Sequence, residues 1–128
     1  IEQVVKTYLK ISGPSTDDFT YKIGHDFHKV QIKDIIYLES VKRKLILYLA
    51  DGRKEEFYGA LKDVYREQLQ KSDFLFIHAS YAVNYDYIAS VKYNELILTN
   101  GETTLPISQH RRKEVREAYY AIMERRVV

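Results

Sequence analysis

Apolar residues along the chain switch between a spacing near four and strict alternation, and each switch marks a change of element. Ile1, Val4, Val5, Tyr8 and Leu9 fall on one helical side, and Gly13-Pro14 in "SGPSTDD" ends that pattern. Residues 1–16 are read as a linker helix and loop outside the main core. Strand-like runs follow. "FTYKIG" and "FHKVQI" flank Gly24-His25-Asp26, which predicts a hairpin. "DIIYLES" sets Ile35, Ile36, Tyr37 and Leu38 in succession, the pattern of a strand buried on both faces. "KLILYLA" runs into Asp51-Gly52, a strong hairpin signal, and "KEEFYG" returns. Lys42-Arg43-Lys44 therefore sits in a loop between strands, where side chains project.

In "ALKDVYREQLQ", Leu61, Val64, Tyr65 and Leu69 form one stripe with Lys62, Asp63, Arg66 and Glu67 outward. The spacing predicts a helix of about three turns. "FLFIHASYAV" reads as strand again, followed by Asn84-Tyr85-Asp86. "YIASVKY", "ELILTN" and "TTLPI" are further strands, with turns at Asn94-Glu95 and Asn100-Gly101. Asn-Gly suits a type I′ turn, in which both central residues take positive φ. Ser108 is the expected side-chain N-cap of a final helix carrying Val115, Ala118, Tyr119 and Ile122 at helical spacing. The predicted architecture is mainly β, built of antiparallel strands, with one internal helix and a C-terminal helix.

Composition adds boundaries to this picture. The 128 residues suit one domain large enough for its own core. Twelve Tyr and no Trp fit half-buried strand faces, where the ring packs and the hydroxyl reaches water. With no Cys there are no disulfides and no thiolate metal site. No apolar run approaches the roughly 18 residues of a membrane span, and no signal peptide is visible. The expectation is a cytoplasmic protein without membrane contact. The chain begins at Ile1 rather than Met, so it is expected to be cut from something longer.

A net charge of +2 does not by itself imply nucleic acid. Its distribution is more informative, because Lys42-Arg43-Lys44 and His110-Arg111-Arg112-Lys113 are two basic clusters. The second opens a helix, where the backbone dipole disfavours cations but free N–H groups favour an anion such as phosphate. Catalytic constellations are missing from the sequence. His25, His28, His78 and His110 have no metal-ligand spacing. Ser80 shares a strand face with His78 but lies in no nucleophile elbow. Neither a Walker loop nor GxGxxG occurs. No enzymatic activity and no cofactor are expected.

"VQIKDIIYLES", "DGRKEEFYGALKDV", "FLFIHASYAVNYDYI" and "NGETTLPISQHRRKEV", in this order and at these distances, resemble the LytTR family of bacterial DNA-binding domains. The resemblance runs from about Phe19 to about Ala118. It implies an elongated stack of antiparallel sheets over 17–128, in place of a helix-turn-helix. It also implies the role of effector domain in a two-component response regulator, with residues 1–16 as linker and the upstream receiver domain absent from this chain. The implied partner is double-stranded DNA at promoter repeats, bound as two copies of the domain for transcription regulation. Loops would reach successive major grooves.

Carried over residue by residue, the loop after Glu39 supplies a base contact, here from Arg43 flanked by Lys42 and Lys44. Ala79 and Ser80 would lie near the minor groove or backbone. Relatives often carry a basic or amide residue where this chain has Ala79, and there Ser80 remains to bond a phosphate. Gln109 stands where many relatives have a base-reading Arg, and since Gln can pair with adenine N6 and N7 the departure implies altered base preference more than lost binding. His110, Arg111, Arg112 and Lys62 would add phosphate contacts. A reading without DNA stays open beside this one, a protein-interaction β-module using strand edges or tyrosines.

Overall fold

The computed structural model describes residues 18–127. The expected linker helix and loop over 1–16 lie outside the described residues. Among the described residues ten strands and two α-helices follow one another. They are β1 Asp18–Ile23, β2 Asp26–Gln31, β3 Ile35–Val41, β4 Lys44–Leu49, β5 Lys54–Tyr58, α1 Leu61–Val64, β6 Phe74–His78, β7 Tyr81–Asn84, β8 Ile88–Val91, β9 Glu95–Leu98, β10 Thr104–Pro106 and α2 Arg112–Val127. A five-stranded antiparallel sheet in the order β5-β4-β3-β7-β6 occupies the centre. The β1–β2 hairpin and the sheet β10-β9-β8 flank it. None of the helices described is long and apolar enough to cross a membrane.

Alternation along the central strands feeds two cores, one on each face. Leu38, Leu45, Leu47 and Ala82 point to one side, where they meet Phe19 and Tyr21 of the hairpin and Leu61 and Leu69 of the α1 region. Leu75, Ile77 and Val83 point to the other, against Leu96 and Leu98 of the smaller sheet and Val115 and Ile122 of α2. The expectation that β3 is buried on both faces is met by Leu38 in the first core and Tyr37 against the second. Ala118, expected on the inner side of α2, is exposed.

Three local expectations are corrected. The internal helix is α-helical for one turn only, then widens to a π-helical turn over Tyr65–Leu69 and closes as a 3₁₀ turn over Gln70–Ser72. At the widened turn the Gln68 amide both accepts from the Thr20 N–H and donates to the Thr20 C=O, at 2.9 Å each, so side-chain bonding to β1 replaces regular winding. Ser108 does not cap α2 through its side chain. Its backbone C=O instead accepts from the Arg111 N–H, and a 3₁₀ turn over Gln109–Arg111 leads into the helix. At Asn100-Gly101 only Gly101 has positive φ, so the turn is not type I′. The Asn100 side chain accepts from the N–H groups of Glu102 and Thr103 and sets a longer loop.

The C-terminal end of α2 is fastened by charge. Asp73, in a left-handed conformation (φ 61°), accepts from Arg125 at 2.9 Å and Arg126 at 3.0 Å, and Arg126 also reaches Asp86 at 2.7 Å. The hydrogen bond from Arg125 holds the Asp73 carboxyl below its ordinary range, with Arg126 adding to it against the opposing effect of burial. A lowered folded value means the stabilisation is full above the unfolded carboxylate value of about 3.9 and is lost as pH falls through the folded one. Asp73→Asn keeps the shape and the left-handed tolerance but loses the charge. It is expected to cost about 1 kcal/mol at neutral pH, because both guanidiniums face water. Thermal melts of the two proteins should converge in acid.

Candidate nucleic-acid interface

Four loops meet at one end of the central sheet, and backbone hydrogen bonds join them. The two-residue turn Lys42-Arg43 connects β3 to β4, and the Arg43 C=O accepts from the Gly59 N–H in the β5–α1 junction. The Ser40 N–H donates to the Ser80 C=O in the β6–β7 turn at 2.8 Å. The Ser108 N–H donates to the Ile77 C=O at 2.9 Å, so the segment entering α2 is tied to the same β6 end. A sheet end sets these loops more rigidly than chain connectivity alone does.

These loops enclose a concavity of about 630 Å³. Its lining includes Lys42, Arg43, Lys62, Ala79 and Arg111, five residues from four separate stretches of the sequence. It contains four cations and no carboxylate. Among the described residues, none of the four has a carboxylate within ion-pair distance. The larger groove near Asp73 is different: there Lys29, Lys33, Arg66 and Lys71 alternate with Asp18, Glu67, Asp73 and Asp86. Cations without counter-charges in a concave wall focus a positive field outward.

Lys42 sits at φ 59°, a conformation that a residue with a Cβ adopts at a cost of about 1 kcal/mol or more. It allows the tight turn and lifts Lys42 and Arg43 clear of the sheet, where both are exposed. Lys44, expected beside them, is placed otherwise. As the first residue of β4 it points along the sheet face, 3.7 Å from Glu56 on β5 and over the Tyr58 ring. Gln109 and His110 are exposed in the 3₁₀ turn, one step along the surface from Arg111.

The turn between β6 and β7 is braced internally. His78 Nδ1 accepts from the Ser80 N–H at 3.0 Å, and the imidazole meets the Tyr81 ring edge-on. His78 thus holds the turn that presents Ala79, while Ser80 is half-buried. Ala79 brings no donor, so the charge beside it comes from Arg111 and Lys62.

At the opposite end of β7 from this turn, Asn84 is 2% exposed. Its amide donates to the Ile35 C=O at 2.9 Å and accepts from the Asp86 N–H at 3.0 Å. On the sheet face away from the first core, Glu39 accepts from the Tyr48 and Tyr81 hydroxyls at 2.8 and 3.2 Å. Burial, and then the bond to Glu39, push the Tyr48 phenol well above its usual range. Glu39 is therefore turned toward its own tyrosines and does not neutralise the basic turn three residues on.

Sequence reasoning missed the aromatic members of this end. Phe76 and Tyr58 line the concavity, and Tyr93 stands under Arg112. For Tyr93 a signal existed: a large ring in the polar turn "VKYNE" serves no core.

Comparison with known proteins agrees with this architecture. The family profile described as the LytTr DNA-binding domain matches residues 25–119. Among solved structures, the chain is similar to the LytTr DNA-binding domain of a protein described as a methyl-accepting/DNA response regulator from Bacillus cereus. Identity is 22%, the match covers 80% of this chain and 95% of that one, and the TM-score is 0.65. At that identity the likeness concerns the fold. No curated protein matches the chain.

Proposed function

The chain belongs to the LytTR family of DNA-binding domains, and on that premise we propose that it binds double-stranded DNA at promoter repeats with sequence preference, as the effector domain of a two-component response regulator that controls transcription. In this reading residues 1–16 link the domain, which spans 17–128, to an upstream receiver, two copies occupy a pair of repeats, and the protein works in the cytoplasm. The observation that carries the reading is the concavity with four cations, no carboxylate and no internal ion pair.

Roles follow from chemistry and placement. Arg43, at the tip of the β3–β4 turn, offers a planar fork that matches guanine O6 and N7 together. Gln109 at the α2 approach can pair with adenine N6 and N7. Lys42, Lys62, Arg111 and Arg112 serve phosphates, with His110 beside them and Ser80 as a neutral donor at the β6–β7 turn. Ala79 contributes room in place of a bond. Lys44 is a weaker partner because Glu56 already engages it.

Selection of binding sites from a random duplex pool tests this directly. An enriched motif should appear for the wild-type chain. Arg43→Ala should relax the motif at a guanine and cost about 1–3 kcal/mol there, and Gln109→Arg should move one position from adenine toward guanine. Lys44→Ala should change the motif little. If the pool yields no enrichment and the chain passes a DNA column near the void volume at low salt, the proposal is wrong.

A further inference from the structure

Two arginines at the entry to α2 lie over aromatic rings. Arg111 Cζ is 4.3 Å from the centroid of Phe76, and Arg112 Cζ is 4.2 Å from that of Tyr93. In both arginines Nε is closed off from solvent and has no hydrogen-bond partner. Among the described residues neither guanidinium is ion-paired, in contrast to Arg125 and Arg126 at the other end of the same helix. The first two thus have only a π-face beside them, whereas the last two are held by carboxylates, Arg126 with the Tyr85 ring beneath it as well.

The difference has a consequence for binding. A carboxylate partner would orient a guanidinium but cancel its charge and consume its in-plane donors. A ring holds it through its face and leaves its charge and, in these two arginines, the terminal Nη groups for an oxygen anion. A long side chain fixed beforehand also loses less freedom when it binds. Tyr93 is 69% exposed in the β8–β9 turn and pairs with no other aromatic ring among the described residues, so its stacking on Arg112 contributes little to the core. That turn is itself anchored, since the Ile107 N–H donates to the Asn94 C=O at 3.0 Å. Phe76 does both jobs. It packs on Tyr65 within the first core and is overlaid by Arg111.

We propose that Phe76 and Tyr93 are positioning residues for DNA binding, which hold the Arg111 and Arg112 guanidiniums in place at the interface so that they meet phosphate oxygens already oriented. The inference rests on the DNA reading above.

A double-mutant cycle on the full chain, titrated with a duplex from the random pool, tests it. Tyr93→Ala should weaken binding by about 3- to 10-fold. In an Arg112→Ala background the same change should matter less than about 2-fold, because the group it positions is gone. Tyr93→Phe, which keeps the ring, should bind like wild type. Phe76→Leu with Arg111→Ala should show the same coupling, with melts to follow folding. If Phe76→Leu fails to fold, the exposed Tyr93 arm decides alone. Equal loss in both backgrounds, no loss on Tyr93→Ala, or loss on Tyr93→Phe would each overturn the proposal while leaving DNA binding in place. A wild-type chain that binds no duplex would remove the DNA reading and this inference together.

Discussion

Replacing Lys42, Lys62, Arg111 and Arg112 together with Ala is expected to reduce affinity for duplex DNA roughly a thousandfold at physiological salt, at about 1 kcal/mol per lost phosphate contact. The slope of log affinity against log salt should fall by about 3–4, since each phosphate contact releases close to one counterion. The fold should survive. All four side chains lie at the surface or on a ring, and no carboxylate of the described residues pairs with them. Three of the four line one concavity, and the fourth, Arg112, follows Arg111 in sequence as the first residue of α2. A matched set taken from the groove of mixed charge, Lys29, Lys33, Arg66 and Lys71, removes the same formal charge. It should shift affinity far less and leave the salt slope nearly unchanged. Equal effects from the two sets would mean that net charge, and not this face, drives binding.

The second large effect concerns stability. Asn84→Ala is expected to destabilise the domain by about 3 kcal/mol, with most of the loss from one buried and one part-buried hydrogen bond and the polar groups they leave behind. The amide joins the end of β7 to the start of β3, 49 residues away, and shapes the turn to Asp86. Asn84→Asp is the sharper variant. It keeps the acceptor for Asp86 but faces a carboxylate toward the Ile35 C=O in a site 2% exposed. Its cost at neutral pH should match or exceed that of Ala. Part of the stability should return as pH falls, because a protonated carboxyl can donate to that C=O again. Denaturant titrations at two pH values would separate the variants. If Asn84→Ala melts with wild type, the amide is not what holds these strands in place.

The legible part of this molecule was the part governed by near neighbours in sequence. Alternation at Leu45, Leu47 and Leu49 marks a half-buried strand wherever it occurs, and Ile35 to Leu38 in succession mark a central one. Gly24 and Gly52 stand at the turns they predict, with positive φ. Lys42 and Arg43 could be placed at a loop tip because the strands on either side were clear. What escaped depends on partners far along the chain. The α1 region winds wide where Gln68 meets Thr20, 48 residues earlier. Lys44 looked like part of a basic cluster, yet pairing across β4 and β5 gives it Glu56. Ser108 is a good capping residue by type, but the tie between its N–H and Ile77 sets a 3₁₀ entry. The stacking of Arg111 on Phe76 joins residues 35 apart, and no local pattern encodes it.

The central claim is that one end of the sheet, formed by the β3–β4 turn, the β5–α1 junction, the β6–β7 turn and the entry to α2, is the surface that meets DNA. Backbone amide mapping by NMR during titration with a selected duplex tests it most directly. Shifts should concentrate at 42–43, 59–62, 79–80 and 109–112, with Tyr93 included and the β1–β2 hairpin tip around Phe27 silent. Shifts centred on that hairpin or on the mixed-charge groove near Asp73, with the four loops unmoved, would contradict the account.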